Sequence, residues 1–315
     1  MEAAALPRPR ARRWSNLLER QGFLASILIS PAVLFIGALV GGPLVLAIYL
    51  SFTDATAGQL SGKYVGLANF RDELHSQIFR DAIWHTFLFT VISQAIVVVV
   101  AGVLAHALVR SFRGKWILRF LILLPWAAPV ALTTIAFLWF FDPGKSIFTW
   151  LLQHSWVAPH LHLVSRTTPP NWLGTPNLAT ASIITVHAWR IIPFATVIFL
   201  AGIASIPKEV DDAAAIDGAT GLKKFWYVSL PLQLPIAIVT LLFGIVFTAT
   251  DIAVVQILTN GGPFNSTQVL TNYAYQTGIE SGSLGDGAAV AVFLVPLLAF
   301  VAIGMLIAAR RVEVS

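Results

Sequence analysis

The chain has 315 residues, of which 57% are hydrophobic and only 11% charged. A soluble domain of this size carries about a quarter charged residues, so the deficit excludes an ordinary soluble fold and points to lipid contact. Cysteine is absent, which excludes a disulfide framework and a thiolate metal site.

Residues 1–23 form a Pro/Arg-rich tail with Arg8, Arg10, Arg12, Arg13 and Arg20. The apolar run that follows is too long for a cleaved signal peptide and is not closed by a small-residue cleavage site, so it reads as a retained span. Each span needs about 20 apolar residues. Six stretches within residues 24–308 meet this: Leu24–Phe52, Trp84–Leu108, Leu118–Phe141, Ala179–Ile203, Pro235–Leu258 and Ala288–Ala308. Residues 309–315 form a short tail. The expected fold is an all-α membrane domain with no soluble domain.

Basic residues set the expected orientation. They crowd the N-terminal tail, the loop after span two (Arg110, Arg113, Lys115, Arg119), the loop after span four (Lys208, Lys223, Lys224) and the C-terminus (Arg310, Arg311). The opposite side holds only Lys63, Arg71, Arg80, Lys145 and Arg166. Both termini and the loop after span four are therefore expected in the cytoplasm. The sequence pI of about 9.7 is a topology signal. No basic face is interleaved with stacking residues, so nucleic acid is not an expected partner.

The outer loops carry their own signals. Thr53–Ile83 holds a turn followed by apolar anchors. Asp142–Leu178, with Trp150, Trp156, Trp172 and Pro169-Pro170, suits a short amphipathic helix at the membrane interface. Asn260-Gly261-Gly262-Pro263 is a strong turn. His154, His160 and His162 lack the spacing and the nearby acid of a metal site. No internal repeat is evident.

The densest polar stretch is Ser205–Pro235, between two apolar spans. Ser205 is placed to cap a helix with Pro207 in its first turn. Glu209, Asp211 and Asp212 follow near the positive end of the helix dipole. Ala213, Ala214 and Ala215 give high helix propensity and a slim surface. Gly218 is placed to stop the helix in the left-handed conformation. A second helix, Leu222–Ser229, is expected to end at Leu230-Pro231. Such a helix–turn–helix serves either as a docking foot for another protein or as a connector resting on lipid headgroups.

Ionisable residues inside spans are costly and mark sites. Arg190 lies near the middle of span four and Asp251 in the outer half of span five. His187, Arg190, Ile191 and Phe194 share one helix face, as do Gly244, Thr248 and Asp251. Converging, these faces supply a cation, an anion, a hydroxyl and an aromatic ring, a mixture that suits a sugar. The same spacing equally allows a structural Arg190–Asp251 pair between helices. Gln94, Thr133 and Thr134 are secondary candidates for substrate contact, although Ser, Thr and Gln in spans more often make interhelical hydrogen bonds. No Ser/His/Asp, paired-carboxylate or Gly-rich phosphate arrangement is placed at an aqueous boundary, so intrinsic catalysis is not expected; Gly114-Lys115 lacks the rest of a phosphate-binding loop.

The polar loop resembles a family. Asp212-Ala213-Ala214, three residues, Gly218, nine residues and Val228-Ser229-Leu230-Pro231 match the Glu-Ala-Ala…Gly…Ile-x-Leu-Pro pattern of permeases of binding-protein-dependent ABC importers. Asp212 replaces Glu and is one methylene shorter; Val228 replaces Ile. Gly66-Leu67-Ala68-Asn69-Phe70, Leu124-Pro125 to Pro129, Trp189-Arg190 to Pro193-Phe194, Leu200-Ala201-Gly202-Ile203 to Ile206-Pro207, and Asn260-Gly261-Gly262-Pro263 with Thr267 are similar to its carbohydrate-uptake branch, which includes the maltose and glycerol-3-phosphate permeases.

The resemblance implies a six-helix type I importer fold in a bacterial or archaeal inner membrane. It implies that Glu209, Asp211, Asp212, Ala213, Ala214, Asp217 and Gly218 meet a cytoplasmic ATPase. Two such ATPase subunits would bind ATP and Mg; this chain would hold no cofactor and would not itself be an enzyme. A second homologous permease and an extracytoplasmic solute-binding protein complete the implied assembly. The implied substrate path runs past His187, Arg190, Phe194, Gly244, Thr248 and Asp251. The rival expectation is an ATP-independent secondary transporter or channel with an Arg190/Asp251/His187 relay.

Overall fold

The computed structural model describes residues 21–110, 112–155 and 168–314. The expectations placed on Arg8 to Arg20, Trp156, His160, His162 and Arg166 lie outside the described residues. Among the described residues the fold is helical; extended backbone forms only the isolated bridges Thr53–Tyr64 and Thr56–Gln59.

In chain order, α1 (Gln21–Ile36) passes through a π turn at Gly37–Gly41 into α2 (Gly42–Leu50). Then come α3 (Ala68–His75), α4 (Gln77–Val109), α5 (Lys115–Ala127), α6 (Val130–Phe140) and α7 (Ile147–His154). The second half holds α8 (Pro176–Ala204), α9 (Lys208–Ile216) and α10 (Gly221–Lys224), which leads through a π turn at Phe225–Ser229 into α11 (Leu230–Ala249). The chain ends with α12 (Ala253–Leu258), α13 (Leu270–Tyr275) and α14 (Leu284–Val314).

Five helical stretches are long and apolar enough to cross a membrane, and the bent pair α5–α6 makes a sixth. Two expected spans are corrected. The stretch Leu118–Phe141 is not one straight helix: α5 and α6 meet at 97°. Pro129 has no N–H to donate and pushes Ala128 into the extended region, with φ −77° and ψ 143°. The fifth span runs from Phe225 to Ala249 rather than Pro235 to Leu258. Residues 250–252 interrupt the helix, and the Oδ1 of Asp251 accepts a long hydrogen bond from the Val254 N–H at 3.4 Å, so this acid helps start α12.

The centre of the bundle is the α4–α8 contact. Ala101 and Ala105 on α4 and Ala188 and Ala195 on α8 are all buried, and their small side chains let the two backbones approach. Val97, Ile191 and Phe199 fill the remaining space. Gly202 extends the close packing to α11, since a Cβ there would lie 2.7 Å from the Ile236 Cδ1. By contrast, Leu24–Leu50 buries none of its residues in the chain.

A polar and aromatic knot ties the helices at one end of the bundle. Asn69 Nδ2 donates to the Ser51 and Thr53 carbonyls at 3.0 and 2.8 Å. Phe52, Phe70, Phe293 and Phe79 form a continuous chain of ring contacts. Glu73 is buried beside Tyr273, and burial holds its carboxyl above the ordinary value of 4.5. The short helix expected between spans three and four is α7, capped by Ser146 Oγ, which accepts from the Thr149 N–H at 2.9 Å. Trp172 Nε1 donates to Thr149 Oγ1 at 2.8 Å and pins α7 to the following loop.

Candidate docking foot and intramembrane polar site

The loop after α8 builds a compact foot, with a different start from the one expected. Ser205 ends α8 rather than capping α9; its Oγ donates back to the Gly202 carbonyl at 2.8 Å. Pro207 holds the N-cap position of α9 without a side-chain hydrogen bond. Glu209 and Asp211 sit in the first turn, where the helix dipole favours negative charge.

Gly218 closes α9 with φ +71°. The Ala219 N–H reaches the Ala214 carbonyl at 2.8 Å and the Gly218 N–H the Ala215 carbonyl at 3.1 Å. This paired closure satisfies carbonyls that a helix end would leave bare. Lys224 Nζ then lies 2.8 Å from Asp211 Oδ1 and ties the returning arm to the start of α9. Glu209, Asp211, Asp212, Ala213, Asp217 and Gly218 are exposed. Ala214 is buried together with Ala219, so it seals the foot instead of lying on the free face. Ile216, 87% exposed, is the apolar tip.

The second arm also departs from expectation. It does not end at Leu230-Pro231; α10 runs through the π turn into α11. The Leu230 N–H reaches back to the Phe225 carbonyl, and this wider turn accommodates Pro231, which has no N–H. His106 of α4 braces the turn. Its Nδ1 lies 2.8 Å from the Gly102 carbonyl and its ring meets Phe225 edge-on at 5.1 Å. Its Nε2 lies 3.5 Å from Gln233 Nε2 on α11.

Within the bundle, the expected faces of α8 and α11 converge. His187 is fully buried, with Nδ1 2.7 Å from Asp251 Oδ2 and Nε2 2.9 Å from Thr248 Oγ1. Arg190 Nη2 donates to the same Asp251 oxygen at 2.5 Å. Gln94 Nε2 donates to Thr248 Oγ1 at 2.6 Å, joining α4 to the cluster. Thr248 Oγ1 also lies 2.7 Å from the Gly244 carbonyl. Gly244 leaves room for the Gln94 amide, which a Cβ would overlap.

The hydroxyl proton of Thr248 cannot serve both the Gly244 carbonyl and His187 Nε2. Asp251, His187 and Thr248 have the order of a nucleophilic triad. Thr248 is only 1% exposed and already accepts from Gln94, so the hydroxyl has no room to attack a substrate.

Beside this cluster lies a cavity of about 290 Å³, lined by Trp126, Arg190, Ile191, Phe247, Thr250 and Asp251 together with the start of α12. Of the six expected substrate-path residues, only Arg190 and Asp251 line it. Phe194 backs it, with its ring stacked on Trp126 at 4.8 Å. His187, Thr248 and Gly244 form the packed layer behind. Arg190 Nε is buried without a hydrogen-bond partner.

Sequence reasoning missed Trp126, Phe247 and Thr250 as lining residues. Phe247 lies four positions before Asp251, so helical spacing carried that signal. Trp126 sits on a distant helix, and only the fold brings it here. Gln94 bridges helices as expected, whereas Thr133 and Thr134 bond to carbonyls of their own helix at Val130, at 2.9 and 2.7 Å. Among the described residues no three His, Asp or Glu side chains form a metal-binding group.

Comparison with known proteins identifies the family and the fold of the chain. The chain is 29% identical over 291 residues to the sulfoquinovosyl glycerol transport system permease of Agrobacterium fabrum, covering 92% of this chain and 90% of that one. It is 30% identical over 278 residues to the sn-glycerol-3-phosphate transport system permease of Brucella abortus, covering 87% and 90%. The trehalose/maltose transport system permease of Thermococcus litoralis is 26% identical, with 88% and 90% covered. A chain of a bacterial alginate ABC transporter, solved in complex with an alginate pentasaccharide-bound periplasmic protein, shares the fold. Its TM-score is 0.78 at 18% identity, covering 96% of this chain and 98% of that one. The family model described as "binding-protein-dependent transport system inner membrane component" matches residues 98–314, and the chain belongs to that family.

Proposed function

We propose that this chain is one of two different transmembrane subunits of an ATP-driven importer for a saccharide or saccharide-like solute. Its foot faces the cytoplasm, where basic residues concentrate. Each of two ATPase subunits binds ATP and Mg, and one grips the exposed side of α9. An extracytoplasmic solute-binding protein delivers the solute at the end that carries α3, α7 and α13. Glu209, Asp211, Asp212, Ala213, Asp217 and Gly218 form the gripped surface. Arg190 and Asp251 meet the solute, and Phe194, His187, Thr248 and Gly244 hold them in place.

The carrying observation is the closed foot. A helix with an exposed acidic side, sealed at Gly218 and tied back by Lys224–Asp211, transmits a push better than a loose connector does. It is covalently continuous with α11, which bears the intramembrane cluster. Closure of the ATPases therefore reaches the solute site through one rod. Kinship with transport permeases for sulfoquinovosyl glycerol, glycerol phosphate and trehalose/maltose supports the solute class.

Co-purification from a native membrane tests the reading: stoichiometric ATPase subunits are expected. Gly218→Val is then expected to leave ATP hydrolysis running while uptake falls, because the β-branched residue opposes φ +71° and distorts the foot. Purification without an ATPase, with unimpaired solute flux, defeats the reading. The joining of His187, Asp251 and Arg190 favours one second reading, an ion-coupled transporter. That reading requires a proton gradient, and no ATP, for uptake.

A further inference from the structure

We propose that the indole of Trp126 is the platform on which a pyranose ring of the solute stacks, so that the solute is a cyclic saccharide rather than an acyclic polyol or polyol phosphate. This rests on the saccharide-importer reading above and narrows it.

Three observations carry the assignment. Trp126 lines the cavity and is 39% exposed, so part of the indole is free. The ring is held by Phe194, stacked at 4.8 Å and 25°, and by Phe247 at 5.9 Å and 52°. A flat group supported in this way is oriented before the solute arrives, which lowers the cost of binding. Arg190 and Asp251 line the same cavity. The Arg190 side chain keeps 18% of its surface exposed, and Asp251 Oδ1 has only the long contact with Val254. The cavity thus offers one flat apolar surface together with a donor and an acceptor.

A pyranose presents the matching pair of features: an apolar face of C–H groups and a rim of hydroxyls that both donate and accept. An acyclic polyol or polyol phosphate has polar groups but no flat apolar face to lie on the indole. The break between α5 and α6 has a direct role here. Trp126 is two residues before the extended Ala128, so the turn out of α5 fixes where the indole is displayed.

The test uses the complete importer in inside-filled membrane vesicles with its binding protein and ATP. The probe is a pool of pyranose mono- and disaccharides mixed with acyclic polyols and glycerol 3-phosphate, and the concentrated members are identified by mass spectrometry of the lumen. Wild type is expected to concentrate pyranosides. Trp126→Phe keeps a flat ring and should retain most uptake. Trp126→Leu keeps apolar bulk without the flat face and should lose about three- to tenfold. Membrane abundance of each variant controls for folding, and recovery by Phe but not Leu separates stacking from simple packing. Equal uptake by Trp126→Leu and wild type overturns the platform alone. Wild-type vesicles that concentrate only acyclic members overturn the ring-shaped solute. Vesicles that concentrate nothing overturn the importer reading itself.

Discussion

The Asp251 carboxylate is shared: its Oδ2 lies 2.5 Å from Arg190 Nη2 and 2.7 Å from His187 Nδ1. One oxygen from α11's end thus fixes two side chains of α8. Removing one member of a buried pair strands the other. Asp251→Asn is expected to destabilise the bundle by about 3 kcal/mol. The double variant Arg190→Leu/Asp251→Leu should lose less than the two single losses combined. Thermal unfolding in detergent over a double-mutant cycle measures this coupling; strictly additive losses would show that the pair is not energetically linked.

Gly244 and Gln94 form a second linked pair. A methyl at position 244 overlaps the Gln94 amide, which can swing away only by releasing Thr248. Gly244→Ala should therefore cost about 1 kcal/mol, the worth of one such hydrogen bond. In a Gln94→Ala background the same substitution should cost almost nothing. The same unfolding assay reads both values.

Glu73 supplies a pH dependence. Burial, opposed by its hydrogen bond with Tyr273 and reinforced by Asp286 and Asp72, leaves its carboxyl with a raised pKa. A raised carboxyl binds its proton more tightly in the folded state than in the unfolded one. Its contribution to stability is therefore greatest in acid and falls as pH rises from the ordinary value of 4.5 through the raised one. Glu73→Gln should flatten this slope and leave the variant more stable than wild type at neutral pH. Unfolding temperatures measured from acid to neutral pH check it, and parallel curves for the two proteins would contradict it.

His106 braces the π turn between the foot and α11 through Phe225 and Gln233. His106→Ala should raise amide exchange across Phe225–Ser229 and reduce solute moved per ATP consumed. Hydrogen–deuterium exchange reports the first effect and vesicle uptake the second. Unchanged exchange in this segment would remove the brace from the mechanism.

The sequence by itself determined the membrane class, most of the span positions and the existence of the foot. Those features depend on local chemistry: apolar runs long enough for a bilayer, a glycine able to take φ +71°, and acids placed at a helix start. It also located Arg190 and Asp251, because an ion inside a span is expensive enough to stand out alone. Helical spacing put His187 and Thr248 beside them but could not say that they pack behind the cavity instead of lining it. The break at Ala128-Pro129 was written in the chain as a proline, yet its 97° angle depends on α5 packing against α8 and α6 against α12. Only tertiary structure brought Trp126 to the cavity and turned Ala214 inward. Both outcomes are set by contacts between segments far apart in the chain, and no periodicity within one helix encodes its distance from another.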